Sequence, residues 1–576
     1  MQAVSTCYMR WMFRRLAGRC LALAILWGLF LGLIACCHKD EVKPATSEPA
    51  APTKPSFTIF ALAEVRGQIG PCGCTSDPLG DISRTTQLIA DAQKDGVVFV
   101  VDAGSLLYSQ NPVPAHLVAQ EDLKADLLAN IYKDQLGALT GLGPADTAMG
   151  PDKVRFPRIE SNVTGDYATK KAMVATTAGQ TIGVFGVIAE DTFKVPTGDP
   201  VAAGKDAVKK LRGDGAKVVV ALIQASTKKE AVALAKSIGG IDLAIAGLGQ
   251  NAPEPDAIEI QPTKLDDGWL VIPGNRGQIV SRIDVYERGA GPLVDAIGPA
   301  AAKARIAQID KDLAGRDAEL AKFAADKTAD HAFVAAKQKE RAQVAAEREQ
   351  LAKQPLVVPA TGSYFTLDQV KISKGLACSV KTQDLVTAFY AAAGAANVKA
   401  AAGKEPEPAA KHMPSYVGSA ACGDCHDGAT KFWQKTVHAQ AWKTLVDRGQ
   451  QFDYDCIGCH VTGWQQPGGS NLAHNDNLRD IQCETCHGPA SIHVAKGGEE
   501  KPLAIQKTPP DDLCASQCHT HEHSDTFQHE AYLRDITGPG HAPKFRTALG
   551  DGPTGHDLRK AALDKAGRTL GAGCVR

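Results

Sequence analysis

Four short stretches near the C-terminus constrain this chain more than anything else in it. "CGDCH" at Cys422, Cys425 and His426, "CIGCH" at Cys456, Cys459 and His460, and "CETCH" at Cys483, Cys486 and His487 repeat one pattern. "CASQCH" at Cys514, Cys518 and His519 repeats it with one extra residue between the cysteines. Cys-x-x-Cys-His is the attachment signature of haem c. Its two thiols add across the porphyrin vinyl groups, and the adjacent histidine falls under the iron as proximal axial ligand. Pairs of Cys-x-x-Cys can also build four-thiolate zinc sites, and short cysteine loops occur as redox disulfides. Zinc, however, does not require a histidine after every pair. The expectation is four haem c groups, held at these twelve residues, with the widened fourth motif as the departure.

Residues 414–576 allow only about 40 residues per motif, too few to bury an ordinary core around four haems. The haems themselves are then expected to be the core, with short helices and loops around them. Thirteen of the sixteen histidines and nine of the sixteen cysteines lie from His412 onward, which marks a separate domain. Each six-coordinate iron needs a second ligand. Met413 is the only methionine there, so paired histidines are the expected rule. His438 lies in "KFWQKTVHAQAWKTLV", which reads as one helix with His438, Trp442 and Leu445 on a shared face.

The N-terminus reads as a targeting segment. Arg10, Arg14, Arg15 and Arg19 precede an apolar run from Cys20 to Ala35 that suits a signal h-region better than a membrane span. Its end, "LGLIAC", resembles a bacterial lipoprotein box, with Cys36 as the lipidated residue. A plain membrane anchor is the alternative. Residues 37–56 read as a flexible tether. The protein is therefore expected in the bacterial cell envelope, lipid-anchored and exposed to an oxidising compartment, where free paired thiols form disulfides. With 63 basic and 64 acidic residues, nothing points to a nucleic-acid partner.

Between these ends, residues 57–298 alternate strand-like runs such as "FTIFALAEV", "GVVFVVDAG" and "AKVVVALIQA" with helical segments closed by glycine, an α/β pattern. Residues 299–354 change to Ala, Lys, Glu and Arg with apolar residues at three- and four-residue steps, expected as a helical hairpin or coiled coil. Residues 355–398 read as a β/α extension and 399–413 as a linker. In the loop "IGPCGCTSDPLGD", Cys72 and Cys74 are open to several readings: a redox-labile pair, a disulfide to Cys378 or Cys574, or metal thiolates.

"YVGSAACGDCH", "WQKTVHAQAWKTLV", "DCIGCHVTGW" and "IQCETCHGPASIHV" resemble the family of tetrahaem c cytochromes that accept electrons from hydroxylamine oxidoreductase, over about residues 415–541. The resemblance implies His438, His474, His493 and His541 as distal ligands. The α/β region is similar to metallophosphoesterases of the 5′-nucleotidase type, with "VVDAGS", "GPADTAMG" and "AGLGQN" in matching order. Its ligands do not match. Glu64 and Arg66 stand where Asp and His belong, Ser105 replaces an Asp, Pro144 and Ala145 replace Asn-His, and Gln224, Leu248 and Gln250 stand at or near later histidines. His116 is the one histidine between residues 57 and 300, too few imidazoles for a dinuclear metal site.

The expected architecture is a metallophosphoesterase-like α/β sandwich, a helical arm and a mainly α, haem-packed C-terminal domain. The expected function is electron transfer through four covalent haems, with redox proteins or quinol-linked donors of the cell envelope as partners. A haem-based oxidoreductase with one open iron is the alternative, at the second or fourth motif, and a metal-dependent phosphoesterase is the third reading.

Overall fold

The computed structural model describes residues 54–574 apart from 72–74, 168, 191–192, 290, 326–330, 357, 499–504, 521–522 and 568. The targeting segment with Cys36, the tether to residue 53, Cys72, Cys74 and His521 lie outside the described residues.

The chain opens with β1 (Phe57–Leu62), β2 (Val98–Asp102) and β3 (Leu139–Thr140), passes through a short ladder of β4 (Arg158–Ile159) and β5 (Thr169–Lys170), and then builds a second sheet. That sheet holds β6 (Ala172–Thr177), β7 (Gln180–Ile188), β8 (Val218–Gln224), β9 (Leu243–Gly247), β10 (Thr263–Lys264) and β11 (Trp269–Val271). The chain returns to the first sheet with β12 (Ile279–Tyr286), β13 (Val294–Asp295) and β14 (Tyr364–Lys371). The strand orders are β13-β14-β12-β1-β2-β3 and β10-β11-β9-β8-β7-β6.

β1 and β8 are apolar on both faces because both faces are covered. Phe57, Ile59 and Ala61 of β1 meet Val218, Val220 and Leu222 of β8 in a core between the sheets. Phe60 and Leu62, pointing the other way, pack under α1 (Ile82–Asp95), α2 (Val118–Asn130) and a later helix, α7 (Val380–Ala401). The outer face of the second sheet is covered by α3 (Pro200–Gly213) and α4 (Lys228–Ile238). The result is a four-layer α/β/β/α sandwich.

The predicted hairpin is present as α5 (Pro299–Ala325) and α6 (His331–Lys353). Crossed ion pairs, Arg341 to Asp317 and Arg348 to Asp310 among them, hold the two helices together. It is an insertion between β13 and β14, not a connector between domains. β14 pairs antiparallel with β12 over eight residues, so the segment read as a separate extension completes the first sheet, and α7 covers it. Cys378 and Cys574 form a disulfide across 196 residues, which removes both as partners for Cys72 or Cys74.

Past residue 414 the regular core stops. One small cluster, Ile457, Val461, Leu472 and Leu478 with Ala401, is the buried apolar centre of this region. The segment read as one helix around His438 is broken into helices Asp427–Trp433 and Ala441–Val446, with His438 in a 3-10 turn, Val437–Gln440. His438 is half-buried there, Leu445 is in the core, and Arg479 lies over the Trp442 ring at 4.7 Å.

Candidate haem centre

All four motifs close on a helical turn. In the first, the His426 amide donates to the Cys422 carbonyl at 2.8 Å. The third motif is itself a helix, Cys483–His487. In the fourth, the His519 amide donates to the Cys514 carbonyl at 2.7 Å, and the Cys518 amide to the same oxygen at 3.2 Å. The extra residue is thus absorbed by widening the turn from an i+4 to an i+5 closure. The histidine still returns to the first cysteine's carbonyl.

None of the eight motif cysteines is in a disulfide. The side chains of Cys422 and Cys483 lie close enough to interact, as do those of Cys459 and Cys518, so the first motif faces the third and the second faces the fourth. Burial pushes the Cys486 thiol up to about 11. Among the described residues no three His, Cys, Asp or Glu side chains converge to hold a bare metal ion.

Hydrogen bonds at the imidazoles fix which nitrogen is available. Nδ1 of His460 donates to the Ala441 carbonyl at 2.5 Å, Nδ1 of His487 to the Gln506 carbonyl at 2.7 Å, and Nδ1 of His541 to the Ile536 carbonyl at 2.6 Å. A carbonyl only accepts, so the proton sits on Nδ1 and Nε2 is the bare donor, the outer-shell arrangement of metal-bound histidines. Nδ1 of His519 meets Ser524 Oγ at 3.1 Å. Burial lowers the His438 and His460 imidazoles and brings His519 to about 4, helped by the nearby His438. They are neutral, the form that ligates.

Two pairs of histidines face each other. The ring centroids of His438 and His519 are 6.2 Å apart, and those of His487 and His541 are 6.0 Å apart. A metal–imidazole bond of about 2 Å on either side of one ion sets two ring centres roughly 6 Å apart. His541 reaches its place through a tight turn in which the Gly538 amide donates to the His541 carbonyl at 2.7 Å, and a Cβ at Gly538 would lie 2.5 Å from the Phe432 ring. His493 has a buried Nδ1 without a partner. His474 is 45% exposed and lies 3.4 Å from Glu405 of the linker. His460 faces no other histidine ring among the described contacts.

A cavity of about 340 Å³ opens among Tyr416, Trp464, Cys486, His487 and Cys518. Five of the large apolar side chains left exposed, Met413, Val437, Val446, Val494 and Phe545, fall in this one region. Thiols outside any disulfide, bare Nε2 atoms, facing imidazoles and uncovered apolar surface together fit a haem-packed interior.

Sequence reasoning missed Glu484. This buried carboxylate in the third motif accepts from the amides of Val417, Gly418 and Ala490, at 2.7 Å from Gly418, and locks the approach to the first motif. An acid between the two cysteines was the available signal. It also missed the wall against the α/β domain. Lys124 of α2, 3% exposed, pairs with Glu121 and with Asp455, both at 2.7 Å. Gln120 Nε2 donates to Asp453 at 2.6 Å, and the Asn397 amide donates to Gln120 at 2.7 Å. Tyr454 meets the His116 ring at 5.3 Å.

At the ends of β1 and β2, Arg66 donates to Gln250 at 2.8 Å and to Asn275 at 2.7 Å, with Glu64 at 3.8 Å. Gln224 donates to Glu64 at 3.1 Å. The Asp146 carboxylate accepts from the amides of Ser105, Leu106 and Leu107, and Arg158 pairs with it at 3.0 Å; Pro144 and Ala145 begin the 3-10 turn that carries it. Burial raises Glu64 and Asp102 to about 7. Glu64, Arg66, Ser105 and Arg276 all have positive φ here. A guanidinium and carboxamides fill this pit; Leu248 is buried beside it.

Residues 421–488 match the family model described as cytochrome c554 and c-prime. Cytochrome c-554 of Nitrosomonas europaea is 31% identical over 117 residues, 17% of this chain and 50% of that protein, so the chain spans about half the length of the curated relative it matches. Among solved structures, a 5′-nucleotidase precursor from Thermus thermophilus is similar with 14% identity and a TM-score of 0.37, covering 68% of each chain. The calcineurin-like phosphoesterase YfkN from Bacillus subtilis is similar with 19% identity and a TM-score of 0.33, covering 41% of this chain and 86% of that one.

Proposed function

We propose that this chain, with a cytochrome c554-type segment at its C-terminus, is an exported multihaem cytochrome that carries electrons through four covalently bound haems. The observation that carries the reading is the closure the first and fourth motifs share, in which the widened fourth returns His519 to the Cys514 carbonyl as His426 returns to Cys422. Cys422 and Cys425, Cys456 and Cys459, Cys483 and Cys486, and Cys514 and Cys518 would hold the four groups, with His426, His460, His487 and His519 as proximal ligands. Bound haem supplies a one-electron iron couple; the chain's part is to set potentials through axial histidines, burial and hydrogen bonds. His541 would complete the third site and His438 the fourth. His493 would serve the first, because Ser491 on its helix exchanges hydrogen bonds with Ser415 just ahead of Cys422. His474 could reach an iron only by leaving Glu405.

Export and lipid anchoring at Cys36 belong to this reading, and the Cys378–Cys574 disulfide supports an oxidising compartment. No helix among the described residues is long and apolar enough to cross a membrane. Redox proteins or quinol-linked donors of the envelope remain the partners. The α/β domain acts as a scaffold, not a phosphoesterase, since Arg66 and carboxamides stand in its pit.

A second reading, an oxidoreductase acting on a small nitrogen or sulfur compound, is favoured at one place. Among the described residues, His460 alone of the three later motif histidines faces no second imidazole, which favours the second iron over the fourth. Expression in a cytochrome-maturing host tests both. Four haems by mass support the first reading, and fewer refute it. CO binding to the reduced protein at one haem supports the second, and a fully low-spin spectrum indifferent to CO refutes it.

A further inference from the structure

The segment after the fourth motif is pinned to the α/β domain. Asp525 accepts from the Ser76 amide at 3.1 Å and from the Ser76 hydroxyl, and Arg559 bridges Asp525 at 3.2 Å to the Thr75 carbonyl at 3.0 Å. Ser76 is buried, and Lys374 donates to its carbonyl at 3.2 Å, so the anchor sits on the first sheet's own framework. Arg276, beside the filled pit, lies near enough to His523 to help hold its imidazole down.

Asp525 is one residue from Ser524, whose hydroxyl meets Nδ1 of His519 at 3.1 Å. With Nε2 given to iron, Nδ1 keeps its proton and donates to Ser524. Ser524 is in turn within 3.3 Å of the Tyr532 hydroxyl, and Tyr532 within 2.7 Å of Thr526. Phe527 stacks on the His519 ring at 5.0 Å and 11°, and Tyr532 stands edge-on at 5.0 Å. The groups that orient His519 from its own side therefore lie in residues 524–532, and the α/β domain holds the start of that segment.

We propose that the α/β domain sets the ligand field of the fourth haem: Asp525, clamped by Ser76 and Arg559, positions Ser524 as the acceptor for His519 Nδ1. Ser524 and Asp525 are positioning residues, acting through His519. The proposal rests on the four-haem reading. A stronger acceptor at Nδ1 makes the imidazole a better donor and favours Fe(III), so weakening it raises the midpoint potential of that haem.

The test uses the full-length, haem-loaded protein. Haem number is read first by mass. Three haems, with Cys514 and Cys518 unmodified, would overturn the four-haem reading and this proposal with it. Given four, the midpoints are resolved by EPR-monitored potentiometry in Ser524→Ala, Asp525→Ala and Asp525→Asn. Ser524→Ala is expected to raise one midpoint by up to a tenfold change in the Fe(III)/Fe(II) ratio, about 59 mV for a one-electron couple, and to alter that haem's low-spin signal. Asp525→Ala should move the same haem in the same direction, and Asp525→Asn, which keeps an acceptor for the Ser76 amide, should move it less. If Ser524→Ala shifts the haem and Asp525→Ala does not, the α/β domain has no part in it. Unchanged midpoints in both variants, or an equal shift of all four, overturn the proposal as well.

Discussion

Replacing Lys124 by methionine removes the one cation in a buried cluster. Its ammonium is 2.7 Å from Glu121, whose side chain is 0% exposed, and 2.7 Å from Asp455, whose side chain is 43% exposed. Asp455 can turn to water when the partner is lost. Glu121 cannot, and it keeps only the Ser109 amide at 2.8 Å. Breaking a buried pair from one side costs about 3–5 kcal/mol, chiefly from the stranded charge. For a domain of this size that lowers the melting transition by on the order of 10 °C. The cost should fall on the α/β domain and on its seam with the second motif, because Asp455 precedes Cys456. Calorimetry gives the first, and hydrogen exchange at residues 453–457 gives the second. The double variant Glu121→Gln, Lys124→Met removes the stranded charge while leaving an acceptor for Ser109, so it should recover more than half of the loss. A double variant as unstable as Lys124→Met would refute the argument, and so would a single variant that melts within about 2 °C of the parent.

Glu64 and Asp102 hold protons in the fold, at about 7, that the unfolded chain has already lost. The folded state binds more protons between pH ~4 and ~7, so their contribution to stability falls as pH rises through that window, by a few kcal/mol. The α/β transition should melt lower at pH 8 than at pH 5, and Glu64→Gln should flatten the slope; a slope unchanged in that variant argues against it. On the four-haem reading, His438→Ala is expected to turn the fourth haem high-spin and His541→Ala the third, each leaving three haems unaltered in the EPR spectrum. Protein matured without haem in an oxidising compartment should form disulfides between motifs, Cys422 to Cys483 and Cys459 to Cys518, because those side chains lie close enough to interact; disulfide mapping that finds only pairs within motifs would contradict this.

What the sequence made legible is what is local. The apolar runs of β1, β2 and β8, the period of α5 and α6 and the spacing of the cysteines each state their outcome within a dozen residues. The pairing of β14 with β12 does not, because the α5–α6 insertion separates them and no local pattern names a strand's partner. The break around His438 was hidden by good helical spacing, which tertiary contacts overrode: Trp433 donates its indole proton to the Ile481 carbonyl, and the Ile481 amide donates to the His438 carbonyl. The facing of His438 with His519 spans 81 residues, and no composition or period carries it.

The two places where the α/β domain grips the cytochrome region are not scattered. Asp453 and Asp455 precede the second motif, and Asp525 follows the fourth, and these are the two motifs whose thiols face each other. The first and third motifs are locked together instead by Glu484 and by Cys422 against Cys483, and among the described residues their hydrogen bonds close within the cytochrome region. One side of the haem-binding region is therefore built into a wall of folded protein, and the other is not. The pit of the sandwich is filled by its own side chains, Arg66 with Gln250 and Gln224 with Glu64. Its outer helices and loops reach the C-terminal region instead: Gln120 and Lys124 on α2, Asn397 on α7 and Ser76 ahead of α1 all bond to residues beside the second and fourth motifs, and each would lose a partner if the two domains parted.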